Sequence, residues 1–407
     1  YGTLMSVIEG FDFDWAGHRI PKSTFESADI AHWLALDVAI KAVTDAGLSA
    51  KEMPGERTGV LLGNTLTGEF SKTLNLRLRW PFIRRALRAT MPPGVISTSD
   101  EARMERAIKS VIPKITGDSL AGGLSNTIAG RICNYMDLHG GGYTVDGACS
   151  SSLIAVATAA NGLVNGDFDL ALAGGVDVSL DPFELVGFSK ATALAKTDMR
   201  DFDKGGQCFI PGERCGFVVL ERLEDAERED RTIYAVIQGW GISSDGGGVG
   251  LTAPTSDGQA RALRRAYDRA PYELRDIDFV EGHGTGTVVG DRVELGGISL
   301  ALEDDDDGGP KPRGCGVTSL KSIIGHTKAA AGVGGLIKAT MAVNRRVLPP
   351  TAGCDDPHAI FESDAKGLFP IIHGEIRNPE EPLRAGVSAM GFGGINSHVT
   401  VTSGSPP

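Results

Sequence analysis

The sequence is short of cysteine, of long apolar runs and of positive charge. Its 407 residues include six cysteines, with no CxxC spacing among them, which favours neither a disulfide framework nor a zinc site. No apolar run reaches the ~18 residues of a membrane span, and no signal peptide is visible at the start. We therefore expect a protein of the reducing cytoplasm, with no metal and no membrane partner.

Acidic residues outnumber basic ones, 52 against 40, and the formal net charge is −12. Because phosphate binding usually needs a basic surface, we expect no nucleic-acid partner. Glycine is abundant instead, with 55 residues in short clusters between apolar runs, which is typical of tight turns and close backbone approaches. The chain opens at Tyr1 without a methionine, and we expect a piece of a longer protein.

Short apolar strands alternate with helices rich in small residues, which predicts a layered α/β fold. The strands are expected at residues 170–180, 217–220, 233–242 and 278–281. Buried apolar helices are expected at 153–164 and 329–343, and an amphipathic surface helix at 257–269. The segment 64–118 differs from the rest because it holds a basic, aromatic stretch, RLRWPFIRRALR, at 77–88.

The first candidate site residue is Cys149, within YTVDGACSSSLIAVATAA at 143–160. A strand leads into a turn at the cysteine, and an apolar helix begins there. A thiol at a helix N-terminus meets free N–H groups and the positive end of the helix dipole, so this context favours a reactive thiolate. Small serines follow and leave the sulfur accessible, whereas the remaining cysteines lack this setting and are interpreted as structural.

The second candidate is His283, within EGHGTGTVVGDRVE at 281–294. The histidine follows a strand and is flanked by glycines that let a substrate chain lie close to the backbone. Thr285 and Thr287 offer hydroxyl groups beside it. A histidine in this context is better placed for a pocket than for a structural contact.

The third and fourth signals are glycine-rich segments further along the chain. SLKSIIGHTKAAAG at 319–332 places Lys321 and His326 just before a helix, and Glu294 is the candidate partner carboxylate of Lys321. SAMGFGGINSHV at 388–399 contains a turn that serves either as a plain strand connection or as the source of a backbone N–H for an oxyanion.

In the order VDGACSSSL, HGTGT, GHTKAAAG and GFGGINSH, these motifs resemble the β-ketoacyl synthases, or ketosynthases, of fatty-acid and polyketide synthases, from about residue 30 onward. The resemblance implies the thiolase fold, an α/β fold in which two duplicated βαβαβαββ halves stack as α-β-α-β-α. Residues 1–230 are expected to form the N-terminal half, with its first strand missing, and residues 231–407 the C-terminal half. A homodimer, an acyl carrier protein domain and neighbouring synthase domains are the implied partners.

The resemblance also implies a decarboxylative Claisen condensation. Cys149 takes the acyl chain, and His283 and His326 hydrogen-bond the enolate that forms from malonyl–acyl carrier protein. The backbone N–H groups of Cys149 and Phe392 form an oxyanion hole over the acyl carbonyl, and Phe392 acts as a gate. The product is a β-ketoacyl chain that remains on the carrier protein.

Supporting roles follow from the same resemblance. Thr285 and Thr287 match positions that contact the pantetheine arm, and Lys321 with Glu294 holds the histidine loops. No cofactor is implied beyond the phosphopantetheine of the carrier protein, which carries the substrates. No metal ligand set is expected.

A narrower resemblance concerns the subtype. GNTLTGEF at 63–70, RLRWPF at 77–82 and GHTKAAAG resemble iterative type I polyketide synthases of the enediyne kind, with polyunsaturated fatty-acid synthases as close neighbours. The chain departs from the family at Cys208 and Arg214, where glycine is usual. If those positions require φ > 0, the larger residues strain the turn by roughly 1–3 kcal/mol.

Other functions compete with a condensing enzyme. Chain-length partners and priming decarboxylases share the fold, but chain-length partners usually lack the cysteine, and thiolases use a second cysteine in place of one histidine. The basic stretch at 77–88 is compatible with nucleic-acid binding or with docking of an acidic carrier protein. We favour a surface helix balanced by acidic neighbours.

Overall fold

The computed structural model describes residues 4–247, 250–303, 314–363 and 367–404. The strands are β1 (Thr58–Gly63), β2 (Gly142–Val145), β3 (Leu170–Asp177), β4 (Arg214–Glu221), β5 (Val236–Ser244), β6 (Phe279–Glu281), β7 (Cys315–Thr318), β8 (Val347–Leu348), β9 (Leu368–Pro370), β10 (Glu375–Ile376), β11 (Arg384–Gly391) and β12 (Ile395–Thr402).

The α-helices are α1 (Lys22–Phe25), α2 (Ile30–Asp45), α3 (Glu69–Leu78), α4 (Trp80–Thr90), α5 (Thr98–Ser110), α6 (Ser119–Gly122), α7 (Asn126–Met136), α8 (Ser151–Asn165), α9 (Pro182–Lys190), α10 (Leu223–Arg228), α11 (Ser256–Tyr267), α12 (Val288–Glu303), α13 (Lys321–Ile324), α14 (Ala331–Arg345) and α15 (Ile360–Ser363). Two 3₁₀ turns matter for the site: Ala148–Ser150 leads into α8, and Lys328–Ala330 leads into α14.

The larger sheets repeat one pattern. In the first sheet the order is β2-β1-β3-β4, with β1 parallel to both neighbours and β4 antiparallel to β3. The second sheet contains the corresponding strands in the order β7-β6-β11-β12. Here β6 is parallel to both neighbours and β12 is antiparallel to β11, and two further strands, β9 and β5, lie at the edges. The expected division of the chain at residues 230/231 lies in the connection between β4 and β5.

Helices α8 and α14 lie between the two sheets. Their buried residues, such as Leu153 and Leu336, share one apolar cluster with Leu61 of the first sheet and Val387 of the second. On the outer faces, α2 and α7 pack against the first sheet, and α11 and α12 against the second. The resulting layers are α-β-α-β-α, because each sheet buries both of its faces against apolar helices.

The elements expected from the sequence are present, with shifted ends. The strand predicted for 170–180 ends at Asp177, where the chain turns toward Pro182 at the start of α9. β4 is longer than predicted because pairing with β3 begins at Arg214. The surface helix begins after Thr255, whose hydroxyl caps it, and it buries one apolar face.

The segment between β1 and β2 includes α3, α4 and α5, and the basic stretch at 77–88 lies at the end of α3 and in α4. Trp80 is buried and anchors α4. Arg88 pairs with Glu101 of α5, with an Nε–Oε1 distance of 2.6 Å, and Arg77 donates to two backbone carbonyl groups near the end of α5. The stretch is therefore a pair of helices at the surface, in which part of the positive charge is paired locally.

Candidate active site

Cys149 lies in the tight turn between β2 and α8. Ala148, just before it, takes φ 51°, a left-handed conformation that is uncommon outside glycine. The Ser151 hydroxyl holds this turn, because it accepts from the Gly147 N–H at 2.9 Å and donates to the Ala148 carbonyl at 2.6 Å. The serines after the cysteine therefore fix the turn, in addition to leaving the sulfur uncrowded.

The pKa of the Cys149 thiol is set by opposing effects. Burial raises the pKa of the thiol to about 11, although the backbone N–H of Phe392 donates to it and the cations of Lys321 and Lys328 act in the opposite direction. Asp177 adds to the upward shift. Because desolvation outweighs the helix dipole, this pKa favours a protonated thiol at neutral pH, and the prediction of a thiolate from the helix start is wrong.

His283 and His326 contact each other through their rings. Their ring centroids are 5.3 Å apart, in an edge-to-face arrangement with an interplanar angle of 86°. Phe209 packs on the other side of His326, with a centroid distance of 5.0 Å. Burial, followed by the nearby Lys321 cation, holds the pKa of both imidazoles well below their usual range, so both rings are neutral at pH 7.

The backbone defines the tautomer of His326. The Lys328 N–H donates to Nδ1 of His326 at 3.3 Å, and a nitrogen that accepts carries no proton. Nε2 of the neutral ring is therefore protonated and is a hydrogen-bond donor. Nδ1 of His283 is buried and has no hydrogen-bond partner among the described residues.

Buried carboxylates shape the loop that carries His283. Glu294 of α12 accepts from the backbone N–H groups of His283 at 2.5 Å and Gly284 at 2.8 Å. Asp291 accepts from the Thr285 N–H at 3.1 Å, and the hydroxyl oxygens of Thr285 and Thr287 lie 3.0 Å apart. The loop is therefore held on the N-terminal half of α12 by carboxylate-to-backbone bonds.

The structure corrects the expected contact between Lys321 and Glu294. Lys321 is buried at the start of α13, but within the described ranges no ion pair of 4 Å or less joins it to Glu294, whose carboxylate bonds to backbone N–H groups instead. Its cation lowers the pKa of Glu294 from a distance, against the larger upward effect of burial. The link between Lys321 and Glu294 is thus electrostatic, without a direct bond in the part of the chain that the structure describes.

The glycine-rich turn after β11 packs against the turn of Cys149. A Cβ on Gly391 would lie 2.2 Å from the carbonyl oxygen of Gly147, so only glycine fits there. The next residue, Phe392, directs its backbone N–H at the Cys149 sulfur, and the residue as a whole is 58 % exposed. The two halves of the fold thus each supply one side of a site around this sulfur.

Sequence reasoning missed a second charged cluster behind His326. Lys328 is buried against Asp177 of β3 and Glu184 of α9. The sequence did contain a signal for this cluster: Lys328 stands among alanines at the start of a helix expected to be buried, and a buried lysine needs a carboxylate partner. Asp201 was missed as well: burial raises the pKa of its carboxyl to about 7, and it accepts from the Ser322 N–H at 2.9 Å.

No group of three or more His, Cys, Asp or Glu side chains with metal-binding geometry occurs in the described part of the chain. Across the same residues, none of the helices is long and apolar enough to cross a bilayer.

Comparison with known protein families assigns the chain to one of them. A family model described as the β-ketoacyl synthase N-terminal domain matches residues 2–226, and the corresponding C-terminal domain matches residues 234–355. The chain belongs to the β-ketoacyl synthase family. The predicted thiolase fold is confirmed by solved ketosynthases: that of module 6 of the bacillaene synthase from Bacillus subtilis 168 is 32% identical with a TM-score of 0.80 over 96% of this chain and 62% of its own.

Another solved ketosynthase, the oxazolomycin ketosynthase domain of Streptomyces albus JA3453, is 27% identical with a TM-score of 0.81, over 97% of this chain and 63% of its own.

Curated relatives are much longer proteins. A polyunsaturated fatty acid synthase component of a Thraustochytrium species is 35% identical over 98% of this chain and 14% of that protein. Polyketide synthase PksL of Bacillus subtilis is 34% identical over 100% of this chain and 8% of that protein. A phenolphthiocerol/phthiocerol polyketide synthase component of Mycobacterium tuberculosis is 33% identical over 99% of this chain and 20% of that protein. The ketosynthase chain thus spans at most a fifth of these relatives.

Proposed function

We propose that this ketosynthase joins an acyl chain on Cys149 to malonyl–acyl carrier protein in a decarboxylative condensation. The observation that supports it is that the two neutral imidazoles contact each other, the Phe392 N–H donates to the Cys149 thiol, and the Lys321 cation acts on the thiol and on both imidazoles. A carbon–carbon bond between two thioesters needs a nucleophile that stores one acyl group and N–H donors that stabilise negative charge on oxygen.

In the first step, the Cys149 sulfur attacks the acyl thioester, and the thiol proton leaves with the pantetheine sulfur. Negative charge on the tetrahedral oxygen is stabilised by the backbone N–H groups of Cys149 and Phe392. The Phe392 N–H already points at the sulfur. It therefore lies close to the position that the acyl oxygen takes when the sulfur attacks.

In the second step, the malonyl carboxylate leaves as carbon dioxide and its electron pair forms an enolate. The neutral His283 and His326 donate N–H bonds to the enolate oxygen, and loss of one such donor costs on the order of 2.7–4 kcal/mol of barrier. The enolate carbon attacks the Cys149 thioester, the bond from the acyl carbon to the sulfur breaks, and the released thiolate takes up a proton from water. Thr285 and Thr287 line the path proposed for the pantetheine arm.

The test is the mass of the intact protein after incubation with an acyl thioester, for wild type and Cys149→Ala. We expect an acyl adduct on wild type only, followed by release of carbon dioxide and a β-ketoacyl product once malonyl–carrier protein is added. A folded wild type without an adduct would contradict the proposal. Carbon dioxide without a β-ketoacyl product would favour the priming decarboxylase instead.

The proposed subtype is the iterative, enediyne-type polyketide synthase of antibiotic biosynthesis, a cytoplasmic enzyme that works with neighbouring synthase domains. It is supported by the motifs at 63–70 and 77–82. The polyunsaturated fatty-acid synthase is the alternative, favoured by the 35% identity to a component of such a synthase. Competition between conjugated polyenoyl and saturated acyl thioesters for Cys149 tests the choice, since the enediyne type predicts a preference for the polyenoyl chain.

We also propose that the enzyme is a homodimer. Strand β2 is the outer strand of the first sheet, and no described strand pairs with its free edge. Tyr143 in this strand is 42 % exposed. An uncovered strand edge readily pairs with the same strand of a second copy.

A further inference from the structure

Lys328 forms a buried bridge between the two halves of the fold. It lies two residues after His326, in the 3₁₀ turn before α14, with φ 48°. Its Nζ is 2.7 Å from Oδ1 of Asp177 and 2.8 Å from Oε2 of Glu184, and it donates to the Ser179 carbonyl. These partners lie at the end of β3, in the connection that follows it and in α9, all in the first half.

The contacts of this bridge stabilise a buried positive charge. The Lys328 side chain is 2 % exposed, and those of Asp177 and Glu184 are 0 % and 5 % exposed. A buried ammonium is costly unless it is fully paired, and the two carboxylates raise the pKa of Lys328 against the effect of burial, so it stays charged. Asp177 also accepts from the Ala329 N–H at 3.3 Å, so the turn is bound at two consecutive residues.

The same turn contacts both sides of the candidate site. The Lys328 backbone N–H bonds to Nδ1 of His326. On the other side, Gly175 of β3 packs between the turn and α8: a Cβ there would lie 2.6 Å from the Ser152 side chain and 3.0 Å from the Ala329 carbonyl oxygen. The turn therefore lies between His326 and α8, the helix that follows Cys149.

We propose that Lys328 is a positioning residue, whose side chain anchors the His326 turn to Asp177 and Glu184 and so fixes the distance between His326 and Cys149. The inference rests on the proposed condensation and deepens it. It assigns Lys328 to the decarboxylation step, which needs the His326 N–H, and not to acyl transfer onto Cys149, which needs the Phe392 N–H.

The test compares Lys328→Met with Lys72→Met. Lys72 of α3 contacts Ser179 and Asp181 in the same segment, but from within the first half, so its variant is a matched control. Acylation of Cys149 and release of carbon dioxide from malonyl–carrier protein are measured separately. For Lys328→Met we expect acylation within about threefold of wild type and decarboxylation about 100-fold slower, the loss typical of a misplaced catalytic group. For Lys72→Met we expect both rates to change together, by less than about threefold.

Lys328→Met leaves two buried carboxylates without their cation and risks unfolding. Two further variants avoid this problem. Glu184→Gln keeps the size and the hydrogen bond of that partner and is expected to slow decarboxylation alone, by about three- to tenfold. Asp177→Asn with Glu184→Gln and Lys328→Met removes all three charges, and we expect a folded protein that remains about 100-fold slow in decarboxylation.

Two results would overturn the assignment of Lys328. One is unchanged decarboxylation in Glu184→Gln or in the charge-free triple variant. The other is an equal loss of acylation and decarboxylation in the folded Lys328 variants, which would indicate a purely structural ion cluster. If wild type itself forms no Cys149 adduct and releases no carbon dioxide, the proposed function fails instead.

Discussion

At the scale of single residues, burial decides the protonation states in the site. Cys149 lies where a helix dipole favours a thiolate, yet its pKa is about 11 because desolvation is the larger effect. Both site histidines, His283 and His326, have a depressed pKa for the same reason. The resting site therefore contains a thiol and two neutral imidazoles, without a thiolate–imidazolium pair.

The alkylation rate of Cys149 by iodoacetamide checks this state. Because the pKa is raised, the thiolate fraction is low at pH 7, and we expect the rate to rise about tenfold per pH unit between about pH 7 and 9. The rate is read from intact mass, and Cys149→Ala identifies alkylation at other cysteines. A plateau reached near pH 7 would instead mean that the thiolate is stabilised.

The two departures from glycine have different structural consequences. Cys208 takes φ 147°, in the region that favours glycine, whereas Arg214 lies in extended backbone at the start of β4. The condition for backbone strain, a positive φ, is thus met at Cys208 and not at Arg214. The side chains are also accommodated, since Cys208 donates to the Thr192 carbonyl and Arg214 to the Ser6 hydroxyl.

Replacing these two residues by glycine should have opposite effects. Cys208→Gly relieves strain, and we expect the free energy of unfolding to rise by about 1 kcal/mol. Arg214→Gly weakens a strand and loses the Arg214 hydrogen bonds, so we expect a loss of about 1 kcal/mol or more. Denaturant titration measures both, and a destabilised Cys208→Gly would show that the strain is absent.

At the scale of elements, helix α4 carries arginines on an exposed face. Arg84 and Arg85 form no ion pair among the described residues, unlike Arg88, which is paired with Glu101. Phe82, nearby on the same helix, is 58 % exposed, and the guanidinium of Arg85 lies 5.9 Å from its ring centroid. Local pairing thus accounts for part of the basic stretch and leaves a cationic, aromatic patch.

We expect this patch to dock the carrier protein if that partner is acidic. Arg84→Glu with Arg85→Glu should raise the KM for carrier-bound substrate about tenfold, with a smaller effect at high salt, and leave kcat and the reaction of small thioesters unchanged. The control is Arg103→Glu with Arg106→Glu, the same charge change on the neighbouring α5. An unchanged KM in the α4 variant would exclude docking at this helix.

At the scale of the whole molecule, assembly follows from the free edge of β2. We expect light scattering to give twice the chain mass of 42.7 kDa, and Tyr143→Lys to shift the protein toward the monomer, because a charge on an edge strand opposes pairing. Ile376→Lys, on the exposed β10, should remain dimeric. A wild-type monomer, or a Tyr143→Lys dimer of unchanged affinity, would contradict the proposed interface.

The sequence by itself determined the family, the layered fold and the identities of the main candidate site residues. The thiol, the histidines and the glycine-rich turn lie in contiguous motifs, where local context, such as a strand followed by a turn and a helix, indicates the chemistry. The alternation of apolar strands with alanine-rich helices likewise predicted α8 and α14 as buried elements, because an all-round apolar helix must be buried.

Only the tertiary structure decided which partner each buried charge takes. Glu294 bonds to backbone N–H groups instead of Lys321, and Lys328 pairs with Asp177 and Glu184, about 150 residues away in the chain. Such pairings depend on how the two halves pack, and local sequence carries no signal for them. The protonation of Cys149 was likewise fixed by burial, a property of the packed molecule that outweighs the local helix dipole.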